Sequence, residues 1–220
     1  MIRLFCVLLG YIFGLFQTSI IYGKLKGVDV RTKGSGNAGT TNTLRVLGVK
    51  AGVIVLAGDI LKCMIPIFLV RIFLKDTYGD MLPLLAVYTG AGAILGHNYP
   101  FYLKFKGGKG IATTAGLILT MPWQFPVIEA IVFFTLFFTT HYVSLGSLCV
   151  YIVLIIEVVV AGQMGMFQVA QPVLNEMYIV VVLLAILAFW KHRSNLMRLL
   201  KGNERKTYLS HKKNEAEAVK

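Results

Sequence analysis

Residues 4–23 form a run of 20 uncharged, mostly apolar residues. At about 1.5 Å of rise per residue, this run makes a helix of about 30 Å, which is the thickness of the hydrocarbon core of a bilayer. Six further apolar stretches follow, over residues 51–74, 81–96, 111–121, 127–140, 144–161 and 174–190. The pattern predicts an all-α, polytopic integral membrane protein with about seven transmembrane helices.

The composition supports a membrane protein. Charged residues make up 15% of the chain and its mean hydropathy is +0.72, whereas soluble domains carry about 25% charged residues. The stretch at 111–121 is the shortest of the seven, and as a helix it would be only about 16 Å long. We therefore expect it to borrow residues from the loop before it, or not to cross the bilayer fully.

Lysine and arginine are distributed unevenly between the two sides that a seven-span topology creates. All but four of the 22 lysine and arginine residues fall on one side, and the exceptions are Arg3, Lys62, Arg71 and Lys75. Because positively charged loops stay in the cytoplasm, this bias places the N-terminus outside and the C-terminus in the cytoplasm. A six-span topology would divide the charges between the two sides.

The net charge of +12 predicts a surface that attracts anionic membrane lipids and anionic substrates. Nucleic acid is not expected as a partner, because the basic residues are scattered among membrane spans and form no recognition module. The sequence predicts one membrane-embedded domain at 1–202 and a polar, flexible cytoplasmic tail at 203–220. It leaves the oligomeric state open, a monomer included.

Three dense polar motifs interrupt the apolar stretches, and the seven-span topology puts all three on the cytoplasmic side. The first is GSGNAGTTNTLR at 34–45. Its glycines have no Cβ, so their backbone N–H groups can face an anion. The planar guanidinium of Arg45 has several N–H donors arranged to bind phosphate. A dinucleotide-binding fold is excluded, since no strand precedes the glycines. The candidate ligand-binding residues beside Arg45 are Gly34, Ser35, Gly36, Asn37, Thr41 and Asn42.

The second motif, GHNYPFYLKFKGGKG at 96–110, combines glycines with three lysines. It lacks the spacing of an ATP-binding P-loop, because Leu103 and Gly110 occupy positions that need a glycine and a serine or threonine. What remains is a flexible, basic loop before a helix whose N-terminal amides also favour anions. Its candidate substrate-binding residues are His97, Lys104, Lys106, Gly107, Gly108 and Lys109.

The third motif, KHRSNLMRLLKGNE at 191–204, follows the last apolar stretch directly. Basic residues commonly end a cytoplasmic helix, so Arg193 has a simple topological explanation. That explanation does not cover His192 and Asn195, which a helix would place on one face. Together they indicate a site and not only a helix boundary.

Two further polar pairs lie within or beside the apolar stretches. Asp59 and Lys62 are spaced to pair on a helix, and each alone would cost about 2.5–3.5 kcal/mol at mid-membrane. A structural ion pair and a direct role in the site are both open interpretations. Ser144 and Ser147 begin the sixth stretch on the motif side, as substrate-binding residues or only as a helix cap. Neither a metal nor a cofactor is expected.

Taken together, the three motifs resemble those of the bacterial acyl-phosphate:glycerol-3-phosphate acyltransferases of the PlsY type. The family's glycine–serine–asparagine loop matches 34–45, its GH…P…FKGGKG loop matches 96–110, and its KH..N..RL..G.E segment matches 191–204. The resemblance covers essentially the whole chain, with minor departures at Thr40 and Leu196. It implies transfer of a fatty acyl group from acyl phosphate to glycerol 3-phosphate. The products would be lysophosphatidic acid (1-acyl-glycerol 3-phosphate) and phosphate, in phospholipid biosynthesis.

The residues suit that chemistry. Acyl phosphate carries a good leaving group, so positioning and charge stabilisation suffice without a covalent intermediate. The chain accordingly shows no GxSxG motif and no cysteine beside a motif.

Five side chains of the motifs are the predicted catalytic residues: Ser35, Arg45, Lys109, His192 and Asn195. We hypothesise that Lys109 holds the donor phosphate together with the amides of Gly107 and Gly108, and that Lys106 shares this role. Arg45 and Arg193 would grip glycerol 3-phosphate, while Ser35 and Asn195 orient the substrates. Either His192 or a substrate phosphate would take the proton of the attacking hydroxyl.

Two other functions compete with this interpretation. A transporter for an organic phosphate predicts polar residues deep within several spans, whereas the polar residues here concentrate at one face. The chain also shows no strong internal repeat, which disfavours an inverted-repeat transporter. A lipid-binding structural protein would have no need for combined histidine, asparagine and lysine motifs.

Overall fold

The computed structural model describes residues 1–209, and within them the chain forms ten α-helices and no strand. The helices are α1 (Ile2–Gly14), α2 (Thr18–Leu25), α3 (Thr40–Leu47), α4 (Val49–Tyr78), α5 (Leu82–Asn98), α6 (Ile111–Ile118), α7 (Gln124–Thr140), α8 (Val143–Gln163), α9 (Gln171–Lys191) and α10 (Arg193–Leu200). The all-helical prediction is confirmed. The count of seven crossings and the orientation of the termini stay predictions.

Four helical segments of the described chain are long and apolar enough to cross a membrane: Ile2–Leu25, Val49–Leu103, Val143–Gln163 and Gln171–Lys191. The second contains both α4 and α5, and α7 is a shorter apolar helix. Helix α6 has only eight residues and is about 12 Å long, so it is too short to cross, as its sequence indicates.

The first apolar stretch is not one continuous helix. It breaks between Gly14 and Thr18, where the sequence predicts an uninterrupted crossing. The reason is Gln17, which is buried and whose amide lies 3.1 Å from the carbonyl oxygen of His97. Its polar side chain turns the backbone toward the end of α5. Counting consecutive apolar residues does not predict such a break.

Small residues bring the backbones of α1 and α5 into direct contact. A Cβ added to Gly10 would lie 1.9 Å from the carbonyl oxygen of Thr89, and one added to Gly96 would lie 2.3 Å from that of Tyr11. Such a contact is possible only where no side chain separates the helices. The small residues at 89–96 therefore form a helix-packing surface and hold α5, which ends at His97 and Asn98, firmly in place.

An ion pair ties the beginnings of α1 and α9 together. The guanidinium of Arg3 lies 2.5 Å from the carboxylate of Glu176, which also accepts a hydrogen bond of 2.7 Å from the Tyr88 hydroxyl. Helix α9 then runs from Glu176 to Lys191, a rise of about 22 Å. The third motif therefore lies at the opposite end of the bundle from this pair.

Two acidic residues face each other between α7 and α8. Glu129 is buried and Glu157 half-buried, and their carboxyl groups interact with each other. No donor from elsewhere in residues 1–209 forms a hydrogen bond with either carboxyl group. The pair contributes nothing to the polar motifs.

The segment after α10 folds back onto the bundle. Glu204 and Thr207 are buried, and the Thr207 amide donates a 2.9 Å hydrogen bond to the carbonyl oxygen of His141. Residues 203–209, which the sequence assigns to the tail, thus pack onto the bundle through a buried carboxylate and hydroxyl. The remainder of the predicted tail, 210–220, lies outside the described residues.

Candidate active site

The loop of the first motif is held in shape by one buried asparagine. The Asn42 amide nitrogen donates to the carbonyl oxygens of Val30 and Lys33 at 2.7 and 3.1 Å, and its oxygen accepts from the Ser35 amide at 2.7 Å and the Ser35 hydroxyl at 3.0 Å. All hydrogen-bonding atoms of the Asn42 side chain are thus engaged within the loop. Asn42 is a structural residue of the site, where the sequence predicts a substrate-binding one.

Ser35 lies exposed at the turn of this loop between two glycines. Gly34 and Gly36 have φ values of +60° and +71°, in the left-handed region that a residue with a Cβ avoids. The turn leaves Ser35 at the surface while its hydroxyl donates to the Asn42 oxygen. Asn37 and Thr41 are half-buried beside it.

The glycines of the second motif serve close packing. The Gly107 and Gly108 amides donate to the carbonyl oxygens of Asn98 and His97 at 3.2 and 3.1 Å. Because the end of α5 accepts both amides, their predicted part in holding a phosphate would require these hydrogen bonds to be exchanged, and it stays a prediction. A Cβ on Gly107 would lie 2.0 Å from the His97 oxygen, so the loop can approach α5 only with glycine there.

The three lysines of the second motif differ in environment. Lys104 and Lys106 are exposed, whereas Lys109 is half-buried and its ammonium donates a short hydrogen bond to the Asn195 side-chain oxygen. The structure thus brings Lys109 alone of the three against the third motif. Lys104 and Lys106 remain on the surface of the loop.

Glu204 is the central acceptor of the site, and the sequence analysis missed it. Its carboxylate accepts from the Asn195 amide at 2.6 Å, the Ser144 hydroxyl at 2.9 Å and the Arg198 guanidinium at 2.7 Å. Asn195 therefore bridges Lys109 to Glu204. In the sequence, Glu204 is marked only by its place at the end of the third motif. It was overlooked because the predicted polar tail begins at residue 203.

Two other predicted residues make contacts away from the site. Arg193 is exposed, stacks on the Trp190 ring at 4.8 Å and donates to the Trp190 carbonyl oxygen at 3.0 Å. The hydroxyl of buried Ser147 donates 2.7 Å to the Val143 carbonyl oxygen within α8. In this structure Arg193 points outward beside the helix end and the Ser147 hydroxyl donates within its own helix. Their substrate-binding roles stay predictions.

Arg45 reaches across to the folded-back C-terminal segment. One terminal nitrogen donates a short hydrogen bond to the Thr207 hydroxyl and a 3.3 Å bond to the Arg205 carbonyl oxygen. Its Nε is buried and has no hydrogen-bond partner within residues 1–209, and the same holds for the Thr40 hydroxyl. Buried donors rarely stay unpaired, so this corner of the site suits an anionic ligand.

Asn98 is a second polar residue that the sequence analysis missed. Its side-chain oxygen and nitrogen are both buried without a hydrogen-bond partner in the described part of the chain. It faces Gly110 at the start of α6, where an added Cβ would lie 2.9 Å from the Asn98 oxygen. Its position inside the GHN sequence of the second motif was the available signal.

His192 is buried at the end of α9. Its Nδ1 lies 2.8 Å from the carbonyl oxygen of Ala188, which accepts only, so Nδ1 carries the proton and Nε2 has a free lone pair. Burial and, next, the positive charge of Lys109 lower the pKa of His192 to about 4. The imidazole is therefore neutral at pH 7 and able to accept a proton.

Cations outnumber anions in the site. Burial lowers the pKa of Lys109 to about 8; Glu204 opposes this effect, while Arg198 and Arg45 add to it. Burial likewise lowers the pKa of Arg45 to about 10, which leaves it charged at neutral pH. Within residues 1–209, Glu204 is the one acid acting on either group, so the excess positive charge favours binding of phosphate groups.

The contacts bring all three motifs together. Arg205, directly after the third motif, donates 3.1 Å to the Gly34 carbonyl oxygen, Glu204 acts on Arg45, and Lys109 donates to Asn195. A Cβ on Gly108 would fall 2.8 Å from the carbonyl oxygen of Ala38, so the first two motifs also touch. Among residues 1–209, no group of three or more His, Cys, Asp or Glu side chains is arranged to hold a metal ion.

Comparison with known proteins identifies relatives over nearly the full length. A family model described as glycerol-3-phosphate acyltransferase matches residues 4–202. A protein of that name from Shouchella clausii is 41% identical over 206 residues, which cover 93% of this chain and 96% of the relative. Another, from Halalkalibacterium halodurans, is 42% identical over 197 residues, covering 89% and 91%.

Two solved structures share the fold. The crystal structure of PlsY (YgiH), described as an integral membrane glycerol 3-phosphate acyltransferase in its glycerol 3-phosphate form, has a TM-score of 0.80 and 33% identity, covering 94% of this chain and 96% of that one. Its lysophosphatidic acid form has a TM-score of 0.78 and 32% identity, with the same coverage.

Proposed function

The chain belongs to the glycerol-3-phosphate acyltransferase family of PlsY type, and we propose that acyl phosphate is the donor from which it takes the acyl group. It is a bacterial integral membrane enzyme that acylates glycerol 3-phosphate and produces lysophosphatidic acid. With acyl phosphate as donor, the second product is inorganic phosphate.

The observation that carries the donor assignment is the excess of cations around a single acid. Among residues 1–209, Glu204 is the one acid that acts on Arg45 and Lys109, and its carboxylate also accepts a hydrogen bond from Arg198. Glycerol 3-phosphate alone brings one phosphate group, and an acyl phosphate brings a second. Two phosphoryl groups side by side repel each other, so their joint binding needs a surplus of positive charge of this kind.

The reaction then needs positioning and one proton transfer. The C1 hydroxyl oxygen of glycerol 3-phosphate attacks the acyl carbonyl carbon, a new C–O ester bond forms, and the bond to the phosphate oxygen breaks. We assign Lys109 to the donor phosphate, whose charge grows as it leaves, and Arg45, with its unpaired Nε, to the acceptor phosphate. Asn195 orients Lys109 through their hydrogen bond.

His192 is the proposed base. Its free Nε2 takes the hydroxyl proton and can pass it to the departing phosphate, so the enzyme ends as it began. A pKa of about 4 makes it a weak base in the free protein, and the negative charge of two bound phosphates would raise that pKa toward its usual range. A substrate phosphate acting as the base is the alternative that the His192 variant below tests.

The donor is tested with purified protein, acyl phosphate and glycerol 3-phosphate. We expect phosphate release and lysophosphatidic acid that both require the acceptor, and no product with acyl-CoA in place of acyl phosphate. Lys109→Ala should abolish both products while the protein still expresses, and Lys75→Ala, at an exposed lysine outside the three motifs, is the control. Equal activity of Lys109→Ala and wild type would remove Lys109 from the site.

The proposed location of the site is the cytoplasmic face of the inner membrane, with the N-terminus outside and about seven crossings. Lysine and arginine bias supports it. Single cysteines at exposed Lys104, Lys201 and Asp76 test it in intact cells with a membrane-impermeant maleimide. Only Asp76→Cys should be labelled above the wild-type background, and labelling of Lys104→Cys would reverse the proposed orientation.

A further inference from the structure

A buried ion pair lies beneath the second motif. Asp59 and Lys62 of α4 have exposed fractions of 1% and 4%. The Lys62 ammonium lies 2.8 Å from the Asp59 carboxylate, 2.9 Å from the Phe16 carbonyl oxygen and 2.7 Å from Nδ1 of His97. Asp59 also accepts from the Thr18 hydroxyl at 3.2 Å.

These contacts determine where His97 carries its proton. A carboxylate and a carbonyl oxygen at hydrogen-bond distance stabilise Lys62 as an ammonium, which has three donors and no acceptor. Its third N–H therefore points to Nδ1 of His97, and that nitrogen must be the unprotonated one. The neutral imidazole then carries its proton on Nε2.

The Nε2 side of the ring faces the loop that carries Lys109. A Cβ added to Gly108 would lie 2.1 Å from Nε2 of His97 and 2.8 Å from the Ala38 carbonyl oxygen. The His97 carbonyl oxygen also accepts the Gly108 amide at 3.1 Å. His97 thus supports Gly108 through both its ring and its backbone, at the point where the first and second motifs touch.

We propose that Asp59 and Lys62 are positioning residues for acyl transfer. They hold the His97 ring in one orientation and one tautomer, and the ring in turn sets the Gly108–Lys109 segment against the first motif. The inference rests on the proposed function, since it assigns these residues to that reaction. The ion pair also ties α4 to the break after α1, so the test must separate positioning from simple helix packing.

The first variant removes both charges together. Asp59→Leu/Lys62→Met leaves no unpaired buried charge, and such replacements are often neutral for stability. We expect a folded protein whose kcat/KM for acyl transfer falls roughly 100-fold, the loss that a misplacement of about 1 Å produces. Arg3→Met/Glu176→Leu is the matched control, because it removes an ion pair between helices at the far end of the bundle and should keep its activity.

A double-mutant comparison tests whether the pair acts through His97. In a His97→Asn background, removing Asp59 and Lys62 should cause little further loss, because residues that act through one another are not additive. If the pair only packs helices, its removal should cost the same factor in both backgrounds. Additive losses, or wild-type activity of the double variant, would overturn the proposal.

The tautomer has a readout that does not depend on turnover. In protein labelled with ¹⁵N-histidine, the His97 signal, identified by its loss in His97→Asn, should show a proton on Nε2 and none on Nδ1. It should become a mixture of tautomers in Asp59→Leu/Lys62→Met. A proton on Nδ1 in the wild type would refute the proposal, whereas an inactive wild type with the expected spectrum would refute the proposed function alone.

Discussion

Glu204→Gln tests the electrostatic account of the site most directly. Glu204 opposes the lowering of the Lys109 pKa that burial causes, and glutamine keeps the shape of the side chain while removing its charge. Without that charge, the pKa of Lys109 should fall below its present value of about 8. Lys109 binds phosphate only as an ammonium, so activity should be lost at lower pH in the variant than in the wild type.

The size of the shift follows from the geometry. The Asn195 amide separates the two charges, which puts them about 7 Å apart, and unit charges at that distance interact by about 2 kcal/mol at an effective dielectric constant near 20. Since Lys109 is half-buried, solvent screening reduces this value, and we expect a shift of about one pKa unit. The variant should then be about fivefold less active than the wild type at pH 8 and nearly equal at pH 6.

The assay is kcat/KM for lysophosphatidic acid formation between pH 5.5 and 9, since this quantity reports groups of the free enzyme. Comparing each variant with the wild type at the same pH cancels titration of the substrates. Asp29→Asn is the control: it makes the same charge change beside Arg31, and Asp29 does not act on Lys109. The reasoning would be refuted if the fall of kcat/KM at alkaline pH occurred at the same pH in Glu204→Gln as in the wild type. An equal loss of kcat/KM at every pH would refute it as well.

Three further variants test other parts of the structure. His192→Asn keeps a donor for the Ala188 carbonyl oxygen but has no group that can act as a base, so kcat should fall by a factor of about 10²–10⁴. If kcat falls less than tenfold in the same product assay, a substrate phosphate is the base. Gly10→Ala places a methyl group 1.9 Å from the Thr89 oxygen and should lower the stability by at least about 3 kcal/mol, measured as a lower Tm in detergent. The control Gly79→Ala has open space around the added methyl group and should keep the wild-type Tm. Equal Tm values for the two variants would contradict the backbone contact. Glu129→Gln keeps a hydrogen-bond donor against the Glu157 carboxyl while removing the second acid of the buried pair, so Tm should be at least as high as in the wild type. A lower Tm would contradict this account of the pair.

The helical fold is largely readable in the sequence, because a long apolar run without strict alternation of polar residues spans a bilayer as a helix. The exceptions are places where one polar side chain overrides the local pattern. Gln17 breaks the first helix by reaching the carbonyl oxygen of His97, a partner that is distant in sequence. Glu129 and Glu157 likewise meet only because α7 and α8 are antiparallel neighbours.

The site was predicted in part. Arg45, Lys109, His192 and Asn195 are brought together as expected, because the three motifs share one end of the bundle. Residue type alone did not show the direction of each group: the Gly107 and Gly108 amides face α5, and Arg193 faces outward. Glu204 was missed because a polar, charged segment after the last span is typical of a tail.

The position of Glu204 has a consequence for biogenesis. The residue that balances Arg45, Lys109 and Arg198 is translated after all of them, beyond the last helix. Until it emerges from the ribosome, the inserted helices present cations without their internal counterion, and anionic headgroups of the surrounding lipid are the available substitutes. Completion of this polar cluster is thereby delayed until the segment after α10 has been made, and we expect a chain cut short after α10 to insert normally yet remain inactive.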